Sequence, residues 1–159
     1  MMAPWSNVHN AVLSSNVIME EMLKKMEGKW KLDRSENFEG FMKEMGMNVL
    51  VRKMAGSSKP EQDIKLDGDY LCVTTITGFW NSEQKIKLNS DYEHVQDKVH
   101  MKCSCKWEDG KLVVNQAPTD PAAKIKPQTI YREVTDDDEM LTTIHIGDVV
   151  CKRWFKRLT

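Results

Sequence analysis

This chain of 159 residues has no apolar run long enough to cross a membrane as a helix. It has no excess of charge either: 23 Lys and Arg face 24 Asp and Glu, a net of −1, so nothing attracts a phosphate backbone and no nucleic-acid partner is expected. Cysteine is scarce. Cys72, Cys103, Cys105 and Cys151 have neither zinc-finger nor CxxC spacing and read as free thiols of a reducing compartment. His9, His94, His100 and His145 are scattered, with no metal or triad spacing. No nucleophile or acid–base pair is positioned for catalysis, so neither an enzyme nor a cofactor is expected. No basic residue precedes Lys24, and the mildly apolar Val8 to Met19 segment is broken by His9, Asn10, Ser14, Ser15 and Asn16. A secretory signal or an arginine-rich transit peptide is therefore not expected.

What is present is a small amount of helix and a long series of strands. Ile18, Met19, Met22, Leu23 and Met26 recur at helical spacing, so residues 1–25 read as a poorly ordered extension ending in a short amphipathic helix, and 26–159 as one domain. Phe38, Phe41, Met42 and Met45 define a two-turn helix behind Asn37 as N-cap, stopping at Gly46. Met47, Leu50, Val51 and Met54 form the apolar face of a second, with Asn48 near its cap and Gly56 beyond its end. Lys29 to Arg34 reads as the first strand. From Pro60 the chain reads as nine more, with Asp67-Gly68 and Asp109-Gly110 as hairpin turns. The stretch Ala117 to Lys126, with Pro118, Pro121 and Pro127, reads as a loop, as does the acidic turn Thr135 to Glu139. The fold class expected is mainly β: an antiparallel ten-stranded barrel capped by a helical pair. Inward threonines on the Leu71 to Thr77 and Met140 to Ile146 strands suit a cavity better than a plug.

Two arginines stand out. By strand alternation Arg132 shares a face with Ile130 and Val134, and Arg153 with Val149, Cys151 and Phe155. A guanidinium on an apolar inner face costs several kcal/mol unless an anion meets it, and neither face carries an acidic residue. The alternation therefore points to an anionic ligand, with a buried carboxylate from some other strand as the structural alternative.

Several motifs, taken in order, resemble the intracellular lipid-binding proteins, which include fatty-acid-binding and cellular retinoid-binding proteins. GKWKLDRSENFEGFMKEMG from Gly28 to Gly46 is similar to their first strand and helix, and NVLVRKMAGSSKP from Asn48 to Pro60 to the second helix. GFWNSEQKIKL from Gly78 to Leu88 resembles the turn between their third and fourth strands with the strand after it, and VVCKRWFKR resembles their closing strand. The resemblance, from about Met26 to Leu158, implies a ten-stranded β-clam that binds and transports a long-chain fatty acid or similar anionic lipid. It implies a monomer in the cytoplasm, reaching the nucleus in some members.

Arg132 and Arg153 match the family's carboxylate-binding arginines, while Phe155 stands where a tyrosine is expected. By the same match Phe38 and Phe79 are portal residues. Lys43, Arg52 and Lys53 match a basic triad that serves some members as a nuclear-import signal or could touch membrane; a solvated face is the plainer reading. A signalling chaperone delivering cargo to the nucleus, and a secreted lipocalin-like carrier suggested by Gly28-Lys29-Trp30, are the alternatives.

Overall fold

The computed structural model describes residues 16–96 and 98–159, so the extension expected before residue 16 lies outside the described residues. A helix over 16–26 (α1) leads into strand β1 (Gly28–Glu36), followed by α2 (Phe38–Glu44) and α3 (Val49–Ser57). Nine strands complete the chain: β2 (Glu61–Asp67), β3 (Tyr70–Ile76), β4 (Asn81–Lys87), β5 (Asp91–Gln96), β6 (Val99–Glu108), β7 (Lys111–Pro118), β8 (Gln128–Val134), β9 (Glu139–Ile146) and β10 (Val149–Arg157). They form a single antiparallel sheet in the order β4-β3-β2-β1-β10-β9-β8-β7-β6-β5, curled into a nearly closed barrel whose edges are β4 and β5. Consecutive hairpins build it, and the β1–β10 pairing joins its two halves.

Local chemistry accounts for the turns. Asp109 and Gly110 both have positive φ, 51° and 75°, as a two-residue turn matching the strand twist requires. The backbone pleat sends successive side chains to opposite faces of the sheet, so alternate residues face inward. Trp30, Ile64, Leu71, Val73, Ile86, Leu112, Val114, Met140 and Phe155 form a buried cluster that fills part of the barrel. Leu23 and Met26 of α1 belong to that cluster, each contributing about 1.5–3 kcal/mol by burial. The packed body thus begins upstream of Met26. Arg157 holds α1 at this end: it lies 4.1 Å over the Trp30 ring, donates to the Glu27 carbonyl at 2.8 Å and pairs with Asp138 at 3.1 Å.

Three local expectations are corrected. Asn37 precedes α2 in a left-handed conformation (φ 56°), and its side chain makes no cap; its amide donates instead to the Val150 carbonyl at 3.2 Å, tying α2 to β10. Asn48 does cap α3, accepting from the Val51 amide at 2.9 Å. Gly56 lies inside α3, which runs on to Ser57. Val51 and Ala55 of α3, with Met47 just ahead of the helix, line the cavity, whereas Leu50 and Met54 do not; Leu50 is the most exposed of the four expected face residues. Periodicity in so short a helix does not distinguish one row from its neighbour.

Candidate functional site

The strand ladders place the two arginines with respect to each other. Arg132 on β8 and Arg153 on β10 are both register partners of Thr142 on the intervening β9. All three lie in one row across the sheet and share its inner face. Beyond Arg153 the row continues to Ser35 on β1. Ser35 reaches it because the β1 register shifts between Leu32 and Arg34; the extra residue, Asp33, turns Ser35 inward where strict alternation would present Arg34. Arg34 then lies outside, 4.7 Å over the Trp154 ring and paired with Glu139 at 2.7 Å.

The row supports its two arginines unequally. The Arg153 Nε donates to Ser35 Oγ at 3.2 Å, and its guanidinium sits 3.8 Å from the centroid of the Phe38 ring. Arg132 is only 7% exposed, and its Nε has no hydrogen-bond partner in the protein. Burial pulls both guanidinium groups down to about 10, still well above neutral pH, so each remains charged. For Arg132 the ionisable groups that act against this are Tyr92 and Cys105; no carboxylate does. The alternative of a buried acidic partner is not met, since the salt bridges among the described residues include neither arginine.

On the same inner face other polar atoms are buried without partners: Thr142 Oγ1, Gln116 Oε1 and the Tyr92 hydroxyl. Orphaned groups of this kind normally cost about 1–3 kcal/mol each. Alternation flagged Thr142 as an inward polar residue. Tyr92 and Gln116 went unrecognised, although their places on β5 and β7 do turn them inward. Ser35 could not have been found, because its orientation depends on the bulge.

A cavity of about 530 Å³ opens under the helices and is lined by Phe38, Phe41, Met47, Val51, Phe79 and Arg153 among others. Three of the expected site residues, Phe38, Phe79 and Arg153, are therefore brought together. Phe79 is 51% exposed on the β3–β4 turn, which Thr77 braces by accepting from the Trp80 amide at 2.8 Å. Arg132 and Phe155 lie elsewhere. Phe155 is 2% exposed in the core, with Leu32 and Met140 as its register partners. The basic triad is not a free cluster: Arg52 is turned back onto α2 by Glu39 at 3.0 Å and the Met47 carbonyl at 2.7 Å, while Lys43 and Lys53 are exposed. A larger open groove of about 750 Å³ crosses the outer face of β5–β8, but Asp91, Glu93 and Lys102 give it mixed charge.

A barrel of this topology with a helical lid, an apolar cavity and a buried cation is the architecture of a binding protein for an amphipathic anion. The model of the lipocalin / cytosolic fatty-acid binding protein family matches residues 27–158. The chain belongs to that family. It is 36% identical to human cellular retinoic acid-binding protein 2 over 135 residues, covering 82% of this chain and 96% of that protein. Among solved structures it resembles lipid binding protein 8 of Caenorhabditis elegans, with TM-score 0.77 and 28% identity over 84% of this chain and 96% of that one. It also resembles a Schistosoma mansoni fatty acid binding protein in complex with arachidonic acid, with TM-score 0.74 and 29% identity over 87% and 99% of the two chains.

Proposed function

We propose that this protein binds a long-chain fatty acid or a related carboxylate lipid non-covalently inside its barrel and carries it through the cytosol. The observation that carries this reading is Arg132, a guanidinium buried to 7% exposure with no acidic partner. An anion delivered by a ligand offsets the cost of that burial, and an apolar chain attached to it has a cavity to occupy beneath Phe38 and Phe79. The relatives named for retinoic acid and the structure holding arachidonic acid agree in chemistry, since both ligands join a carboxylate to a long apolar chain. Arg132 takes the head, Arg153 lies along the path to it, and Phe38 and Phe79 border the entrance. Phe155 contributes apolar wall in place of a phenol. The carrier acts as a monomer, and catalysis has no part in this reading.

Titration of the delipidated protein with a long-chain fatty acid and with its methyl ester tests the proposal. The acid is expected to bind at least about tenfold more tightly, and Arg132→Gln to abolish the difference. Equal affinity for acid and ester would overturn it. Delivery of cargo to the nucleus through Lys43, Arg52 and Lys53 ranks second, because it requires Arg52 to leave Glu39 and the Met47 carbonyl.

A further inference from the structure

Position 155 has lost its hydroxyl, yet the inner wall carries another phenol whose oxygen is buried and unpartnered. Tyr92 on β5 packs against the core cluster, and its ladder partner is Cys103 on β6, itself paired with Gln116 on β7. The Tyr92 hydroxyl lies beside the Cys103 thiol at a geometry that leaves its oxygen without a hydrogen bond, and Gln116 Oε1 is likewise unsatisfied. Arg132 lies on the same inner face, four residues along β8 from Gln128, which is the ladder partner of Gln116. The Tyr92 hydroxyl and the Arg132 Nε are thus two buried polar groups of one inner face, each without a hydrogen-bond partner in the protein.

We propose that Tyr92 is the hydroxyl donor of the headgroup site, its phenol and the Arg132 guanidinium facing the same carboxylate from two sides. The inference rests on the carboxylate-binding reading above and names a residue for it that the family resemblance did not. The two groups are close enough for each to act on the other's charge: Arg132 opposes the rise that burial imposes on the Tyr92 phenol, and Tyr92 favours the charged form of Arg132. A phenol kept protonated by burial can only donate to an anion. Cys105, buried on the neighbouring row and raised by the same desolvation, stays a neutral thiol and does not compete for the guanidinium. The head is thereby held deep in the barrel, away from Arg153, whose Nε is already engaged by Ser35.

Tyr92→Phe removes the hydroxyl and keeps the ring, so packing against the core is preserved. It is expected to weaken binding of a long-chain fatty acid at least about tenfold while leaving the methyl ester within about twofold, as loss of one hydrogen bond to a charged group predicts. Adding Phe155→Tyr to Tyr92→Phe is expected to recover part of the loss by restoring a phenol from the other side. In wild-type protein labelled with 13C at tyrosine Cζ, the Tyr92 resonance is expected to move on addition of the acid and not of the ester. Preference for the acid that survives Tyr92→Phe but is lost in Arg132→Gln overturns the role of Tyr92 alone. Absence of any preference in the wild type overturns the carboxylate reading itself. A Tyr92 resonance indifferent to the acid overturns the inference whatever the variants do.

Discussion

Arg132 and Arg153 share one register partner, Thr142, yet Arg153 is held by Ser35 and the Phe38 ring while the Nε of Arg132 has no partner. The two positive charges of the inner face are therefore not equivalent. Arg153 is built into the wall beside the helices; Arg132 is carried as a buried charge with no acidic partner, at a cost to the folded protein.

Arg132→Met should accordingly raise the stability of the ligand-free protein while abolishing acid binding. Replacing an unpaired buried charge by an apolar side chain of similar reach removes its desolvation penalty, so the gain is expected to be on the order of a few kcal/mol. Urea unfolding of delipidated wild type and variant measures this. A clear loss of stability would mean that Arg132 has a partner within the fold.

Leu23 and Ile18 sit on the same helix but differ in burial, 3% against 54% exposed. Leu23→Ala should cost about 2–5 kcal/mol, as removal of a packed leucine does. Ile18→Ala should stay within about 0.5 kcal/mol of wild type. Thermal unfolding of the full chain distinguishes a helix that belongs to the core from one that only rests on it.

The acid limb of stability should depend on Glu139. Its carboxyl is held below its ordinary value of 4.5 mainly by the hydrogen bond from Arg34, and Asp33, beside the same guanidinium, is held below 3.8. A group whose folded pKa is depressed stabilises the fold above its unfolded pKa and loses that contribution as pH falls through the lowered folded value. Glu139→Gln should therefore flatten the melting temperature against pH below about 4.5 while changing little near neutrality. An acid limb as steep as wild type would remove Arg34–Glu139 from the account.

Phe79 is half exposed at the mouth of the cavity, where it contributes little to the packed core. Phe79→Ala should leave unfolding within about 0.5 kcal/mol of wild type. Ligand association and dissociation should both accelerate, with a smaller change in affinity, as expected for a residue that obstructs passage. Stopped-flow measurement with a fluorescent fatty acid reads both rates; unchanged rates would place the entrance elsewhere.

Much of this was legible along the chain because strand alternation is a local rule. The period of two put Arg132, Arg153 and Thr142 on inner faces, and the Asp-Gly turns set the hairpins that bring those faces together. The same rule failed at β1, where a single extra residue at Asp33 reverses every later side chain and turns Ser35 onto Arg153. Helical periodicity named the two lid helices but did not separate Val51 and Ala55, which line the cavity, from Leu50 and Met54, which do not. Local alternation was enough to point two cations into an apolar interior. Which of them finds a partner depends on groups from strands far apart in the chain, brought together only by folding: Ser35 reaches Arg153, whereas the Nε of Arg132 is left without a partner.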